Sequence, residues 1–188
     1  MLYTTLRLLR EQNACSGGLS TLIASLPAKH SESEEISLAH ILKSNGLEHA
    51  VWALRATTVD ARKIAARMAI DFAYQALDKF EKQFPEDKRP RTALETATAF
   101  LDGKITLAKL KSARSAADSA RLAAWAAAGA PAWSAAWSAA GAARAAAESA
   151  AWSARSVRSA AESAAWSAWS ARSARSAGEL IFRKWISK

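Results

Sequence analysis

Alanine, serine, tryptophan and arginine make up most of the chain between Ser112 and Gly178. From residue 113 to residue 177, 31 of the 65 residues are Ala and six are Trp. One block, Glu-Ser-Ala-Ala-Trp-Ser-Ala, occurs at 148–154 and again 14 residues later at 162–168. Alanine has the highest helix propensity, and small side chains allow helix axes to approach closely. The segment therefore predicts long, closely packed helices in which Trp side chains are the large anchors.

The last long helix of this segment has two different faces. One face repeats small residues in steps of four and three, the spacing of a helix–helix seam, and we call it the Ala seam: Ala143, Ala147, Ala150, Ala154, Val157, Ala161, Ala164, Ala168 and Ala171. The opposite face, the Trp/Arg stripe, consists of Trp152, Arg155, Arg158, Trp166, Trp169 and Arg172. Trp and Arg dominate binding hot spots, so the stripe predicts a partner-binding face. The alternative is that the stripe packs against a second helical layer of the same protein.

The basic charge of the chain lies mainly in its second part. The net charge is +9, and residues 113–188 contribute 10 basic and 4 acidic side chains to it. Such an excess favours an acidic partner, namely nucleic acid, an anionic membrane or an acidic protein, although solvated helix faces also explain it. A membrane span is not predicted, because the uncharged stretch between Arg121 and Arg144 contains only one large aliphatic residue, Leu122.

No motif in the sequence predicts catalysis, a metal or a cofactor. Cys15 is the single cysteine, which excludes an internal disulfide and fits a reducing compartment. We interpret it as a free structural thiol, and the three histidines lack the spacing of a metal site. The N-terminus lacks the pattern of a secretion signal. We therefore expect a non-enzymatic, cytoplasmic protein without a cofactor.

The hydrophobic spacing and the helix-stop residues predict an all-α fold without strands. Short helices are expected at 3–12, 19–26, 36–43 and 47–55. A long amphipathic helix is expected at 58–84, because Ile70, Leu77 and Phe84 recur every seven residues. A further helix is expected from a capping box at Thr92 to a stop at Gly103.

The C-terminal part is expected to contain a break, a stop and an apolar plug. Gly129-Ala-Pro131 predicts a break in the Ala-rich helices, since Pro is tolerated only in the first turn of a helix. Gly178 is expected to end the last long helix. The apolar residues after it are expected to pack into the core as a plug: Leu180, Ile181, Phe182 and Trp185.

Two stretches of the chain have a distinctive sequence. One is Ser-Asn-Gly-Leu-Glu-His-Ala-Val-Trp-Ala-Leu-Arg-Ala at 44–56. The other is Phe-Pro-Glu-Asp-Lys-Arg-Pro-Arg-Thr-Ala-Leu-Glu-Thr-Ala at 84–97, in which the turn Arg89-Pro90-Arg91 is the most specific part. Both stretches resemble the Imm-5-like immunity protein family of bacteria and phages. The resemblance implies an all-α fold and inhibition of another protein by binding. It supplies no catalytic residues.

Together these observations predict one domain over residues 1–188, with three parts. Residues 1–57 form short helices, 58–103 an amphipathic helix pair and 104–188 an Ala/Trp-rich helical bundle. The leading hypothesis is a non-enzymatic inhibitor, of the immunity or phage anti-defence type, that occludes a protein partner. The alternatives are nucleic-acid binding through the basic C-terminal half and a structural homo-oligomer, such as a homodimer paired through the Ala seam.

Overall fold

A computed structural model describes residues 1–128 and 175–187 of the protein. The predicted all-α class is confirmed, because the described residues contain eight α-helices and only one small sheet. The helices are α1 (Leu6–Glu11), α2 (Ser16–Ser25), α3 (Leu38–Asn45), α4 (Leu47–Ala53), α5 (Arg62–Gln83), α6 (Arg89–Leu101), α7 (Leu107–Ala128) and α8 (Arg175–Ile186). A short 3₁₀ helix, Leu54–Ala56, extends α4.

Side-chain caps define the starts of the three N-terminal helices α1, α2 and α3. Thr5, Cys15 and Ser37 each precede a helix and accept the backbone N–H three residues further on, at 3.1–3.4 Å. These contacts satisfy N–H groups that have no carbonyl partner within the helix. Gly46 ends α3 with a φ of 83°, a left-handed conformation that glycine adopts without strain. Because Gly46 is also the N-cap residue of α4, α4 follows α3 directly.

Two short strands contradict the prediction that the chain contains no strand. Tyr3–Thr4 pairs antiparallel with Ile36–Ser37, and Thr4 forms a further bridge with Thr57. The Thr4 side chain is fully buried, and its hydroxyl donates to the backbone carbonyl of Ala56. Strands of two residues are too short to show alternating hydrophobicity, so the sequence pattern carries no signal for them.

Helix α5 carries the central part of the core. Ile70, Leu77 and Phe80 are buried on the predicted face, whereas Phe84 lies beyond the helix end and is half-buried. The helix begins at Arg62 rather than at residue 58, because the preceding segment is held to the small sheet. The Thr58 N–H donates to the Tyr3 carbonyl at 2.9 Å.

Helix α6 begins earlier than expected. The predicted capping box at Thr92 is wrong, because α6 starts at Arg89 and Pro90 occupies its first turn. Proline suits that position, where its missing N–H would have no helical partner. The predicted stop is confirmed: α6 ends at Leu101 and Gly103 adopts a φ of 74°.

Helix α8 corrects two expectations about the C-terminal residues. Gly178 does not end a helix but lies buried inside α8. A Cβ atom at this position would approach Leu47 Cδ2 to 2.8 Å, so glycine permits close helix contact there. Phe182 is fully buried, Ile181 and Trp185 are half-buried, but Leu180 is 69% exposed and is not part of the plug.

One hydrophobic cluster joins the first described residues to the last helix, from Leu2 to Ile186. Helix α8 packs on α5 and also touches α3 and α4, while α6 packs between α5 and α7. The Leu2 N–H donates to the Ile186 carbonyl at 3.0 Å. The side chain of Asp71 on α5 accepts from both Lys184 Nζ and Trp185 Nε1 at 2.8 Å. Apolar and polar contacts thus both hold α8 against the earlier helices.

Candidate functional site

The predicted partner-binding residues lie outside the part of the chain that the structure describes. These residues are Trp152, Arg155, Arg158, Trp166, Trp169 and Arg172. The Ala seam, the Gly129-Ala-Pro131 break and most of the uncharged stretch after Arg121 lie there too. In residues 1–128 and 175–187, no helix has the length and the hydropathy that a membrane span requires.

The Arg89-Pro90-Arg91 turn, which carries the family resemblance, is held by ion pairs within the protein. Arg91 extends from α6 to Glu81 on α5 and forms a two-pronged contact, with Nε and Nη2 at 2.7 and 2.6 Å from the carboxylate oxygens. The hydrogen bond from Arg91 lowers the pKa of Glu81, and the same contact raises the pKa of Arg91. This pair ties the end of α5 to the start of α6.

Arg89 is likewise engaged by a neighbouring carboxylate. Its Nε and Nη2 lie 2.8 and 2.6 Å from the oxygens of Asp87, which also accepts the Arg89 backbone N–H at 3.1 Å. These hydrogen bonds lower the pKa of Asp87. An open groove of about 540 Å³ lies between this turn and Ala113 and Ala116 of α7. Because both arginines are paired internally, the turn explains how the helices join and is a weak candidate for an anion site.

A cleft of about 250 Å³ lies among the N-terminal helices α1 to α4. Its walls are mostly apolar: Leu9, Leu19, Leu22, Ile41, Trp52 and Ala53. Four polar or ionisable residues line it as well, namely Asn13, Cys15, Glu48 and His49, together with Asn45 at the end of α3. A mostly apolar cleft with a few converging polar groups has the composition of a small-molecule site.

Cys15 and His49 meet in this cleft although 34 residues separate them in the chain. The Cys15 Sγ lies 4.0 Å from His49 Nε2, and Cys15 is exposed. The other ring nitrogen, Nδ1, lies 3.0 Å from the backbone carbonyl of Asn45, which can only accept a hydrogen bond. Nδ1 therefore carries the proton of the neutral ring, and Nε2 presents a lone pair to the sulfur.

Two contacts hold this pair in place. The Asn45 side-chain amide donates to the Gly18 carbonyl at 2.8 Å, so the end of α3 is attached to the first turn of α2. A Cβ at Gly18 would meet His49 Cδ2 at 2.8 Å, which no side chain tolerates. Only glycine therefore lets the imidazole lie over the start of α2. At the adjacent Gly17 a Cβ would meet nothing within 4 Å.

The other two histidines have different surroundings. His40 Nε2 lies 2.8 Å from the Ser25 hydroxyl, and His30 Nδ1 lies 3.4 Å from Glu34 in the loop between α2 and the second strand. Among the described residues, no group of three or more His, Cys, Asp and Glu side chains is arranged to hold a metal ion. The cleft accordingly brings together one thiol and one imidazole, those of Cys15 and His49.

Sequence reasoning treated Cys15 and His49 separately and missed their contact. The only local signals were the Cys15-Ser-Gly-Gly start of α2 and the close spacing of Asn45, Gly46 and His49. Neither signal indicates that the two side chains come together, since α2 and α4 both pack on α3 and that packing depends on the burial of Leu19, Leu22 and other apolar residues in the common core.

Comparison with known proteins gives one match. No curated protein and no solved structure matches the chain. The profile of the family described as "Imm-5 like putative immunity protein" matches residues 55–176, about two thirds of the chain. The match starts after the cleft-forming helices, within the 3₁₀ helix, and includes the internally paired Arg89-Pro90-Arg91 turn and all six stripe residues. The chain belongs to the Imm-5-like immunity protein family.

Proposed function

We propose that the protein is a non-enzymatic inhibitor, of the immunity or phage anti-defence type, that binds a protein partner and occludes it. The observation that carries this proposal is the family match over residues 55–176. An immunity function requires a protein partner, and the matched range includes the whole Trp/Arg stripe. We assign the cytoplasm as its compartment, because the chain has one cysteine and Cys15 is a free thiol.

The stripe is the best candidate for the partner-binding face. In the described part of the matched range, Arg89 and Arg91 are paired with Asp87 and Glu81. Their charges are thus already neutralised inside the protein, whereas residues 113–188 hold 10 basic and only 4 acidic side chains. An acidic surface on the partner would complement this excess. Within this proposal, residues 1–188 act as one domain.

The test measures binding of the product of the adjacent gene by calorimetry. Trp152→Ala, Trp166→Ala and Arg158→Ala should each weaken binding by about 2 kcal/mol, roughly thirtyfold in Kd, as hot-spot residues do. Circular dichroism should show unchanged helicity. Arg7→Ala on α1 is the matched control, since Arg7 is an exposed arginine outside the family match.

Two outcomes would overturn the assignment of the stripe as the partner-binding face. If the stripe variants lose helicity, the stripe belongs to the core and is not a binding face. If they keep both helicity and affinity, the partner binds elsewhere. The basic excess also favours a second candidate, nucleic-acid binding, which predicts retention of DNA or RNA on filters at about 50 mM salt and loss as salt rises. A homodimer through the Ala seam would appear as a doubled mass in light scattering at high concentration.

A further inference from the structure

We propose that Cys15 and His49 form a nucleophile–base pair that accepts an acyl group from an activated ester or thioester, and that the adjacent cleft holds the acyl chain. This site lies outside the family-matched range and is independent of the inhibitor function. It rests on three features of the described residues: the contact of the two side chains, the fixed orientation of the imidazole and the apolar cleft beside the sulfur.

The contact has the arrangement required of an activated nucleophile. Sγ and Nε2 are 4.0 Å apart, a loose hydrogen-bond distance of the kind found in such pairs before a substrate binds. The Asn45 carbonyl orients the ring by accepting from Nδ1, so the basic nitrogen faces the thiol. An oriented base next to a nucleophile is the shared logic of cysteine and serine acyl-transfer sites.

The ends of two helices surround the pair. Cys15 caps the N-terminus of the ten-residue helix α2, where the helix dipole favours negative charge. The Gly18 N–H donates to the sulfur at 3.4 Å. On the other side, His49 contacts the Asn45 carbonyl at the C-terminus of α3, where the dipole favours positive charge. The thiol and the imidazole thus lie where the ends of these two helices meet.

The cleft determines which acyl group fits. Its volume of about 250 Å³ provides room for roughly eight groups the size of a water molecule, at about 30 Å³ each. Leu19, Leu22 and Ile41 contribute apolar walls, and Trp52 provides a ring surface. A short aliphatic chain would bury apolar surface there, whereas an anionic group would be repelled by the Glu48 carboxylate in the same cleft. The expected substrate class is therefore a short-chain acyl ester or thioester.

The chemical step balances within the pair and the substrate. His49 Nε2 takes the proton from the Cys15 thiol, and Sγ attacks the acyl carbonyl carbon to form a new C–S bond. The bond between the acyl carbon and the leaving oxygen or sulfur then breaks, and the protonated imidazole returns its proton to the departing alcohol or thiol. The product is a thioester on Cys15, and no oxidant, metal or cofactor takes part.

The test uses the full chain with p-nitrophenyl butanoate and p-nitrophenyl acetate. Because Cys15 is the only cysteine, intact-mass analysis shows directly whether one acyl group is attached to it. The folded protein should release one equivalent of p-nitrophenolate, and it should do so faster than the urea-unfolded chain. The ratio of the butanoate rate to the acetate rate should be higher for the folded protein than for the unfolded chain. Cys15→Ser should not be acylated at this position.

Two pairs of variants separate a reactive pair from a merely structural contact. His49→Gln should slow acylation about 100-fold, the low end of general-base catalysis, and should remove the pH dependence that the imidazole imparts. His40→Gln should change nothing, because His40 contacts Ser25 and does not line the cleft. Gly18→Ala should slow acylation by displacing the imidazole, whereas Gly17→Ala should leave the rate unchanged.

The proposal is overturned if the folded and unfolded chains react at the same rate, or if His49→Gln reacts as fast as the native protein. Equal relative rates with butanoate and acetate would also overturn it, since the cleft would then hold no chain. If His49→Gln does not fold, His49→Ala in the presence of added imidazole serves instead. Recovery of the rate supports the base role, and no recovery in a folded variant contradicts it.

Discussion

Polar side chains are used differently in residues 1–56 and in the helices α5 and α6. In α5 and α6 the charged residues pair with each other where helices join, as Arg91 does with Glu81 and Arg67 with Asp102. In residues 1–56 the ion pairs Arg7–Glu11, at 3.9 Å, and Arg10–Glu32, at 3.3 Å, both lie on the surface. The polar groups Cys15, Asn45 and His49 of that region instead face a cleft. Pairing within the family-matched helices supports architecture, while the N-terminal helices leave the Cys15 thiol exposed beside the cleft.

The two regions nevertheless share one core through α8. The substitution with the largest predicted effect on the free energy of unfolding tests this shared core. Phe182→Ala should lower the free energy of unfolding by about 3–5 kcal/mol, because it leaves a cavity under a fully buried ring. Leu180→Ala, on the exposed side of the same helix, should cost less than about 0.5 kcal/mol. Urea unfolding followed by circular dichroism provides both values. Two separate transitions in the native protein would show that the regions do not unfold together.

A smaller loss of stability is expected when a glycine with positive φ is replaced, and each region offers one such glycine. Gly46→Ala and Gly103→Ala should each cost about 1–2 kcal/mol, because both residues have positive φ and a Cβ there is strained although the surrounding space is open. Gly17→Ala is the control with open space but no positive φ, and should stabilise α2 by about 0.5–1 kcal/mol. Thermal unfolding measures all three. A loss at Gly17 equal to that at Gly46 would show that backbone strain is not the cause.

The smallest effect concerns the contribution of the α5–α6 joint to acid stability. Glu81 and Asp87 have pKa values below their ordinary 4.5 and 3.8, because Arg91 and Arg89 stabilise their ionised forms. Each contributes stability that is complete above its ordinary pKa and is lost as the pH falls through the lower folded-state value. Stability should therefore decline on acidification below about pH 4.5. Glu81→Gln and Asp87→Asn should flatten this decline, and an unchanged slope would contradict the assignment.

Local patterns in the sequence predicted the helices but not the close contacts between them. The seven-residue spacing of Ile70 and Leu77 identified the buried face of α5, because that signal lies within one helix. The sequence predicts a helix stop at Gly178, yet α8 continues through it. A side chain is excluded there by Leu47, which is far away in the chain, so no local pattern indicates the reason for the glycine.

The candidate site likewise depends on contacts between helices that local sequence patterns do not predict. The contact between Cys15 and His49 exists only once α2, α3 and α4 have packed, and no local pattern encodes that packing. The stripe residues, by contrast, could be predicted as a set, because their 14-residue period is a property of one segment. Whether that set binds a partner stays a prediction.

The position of α8 bears on the order in which the protein is assembled during synthesis. Helices α1 to α5 leave the ribosome well before residues 175–186, yet α8 is the helix that covers Phe72 and Leu47 through Gly178. Until α8 arrives, the nascent chain carries an uncovered apolar surface on α3, α4 and α5. Such surfaces attract chaperones and promote aggregation. The yield of folded protein should thus depend on how quickly the intervening Ala-rich segment is translated.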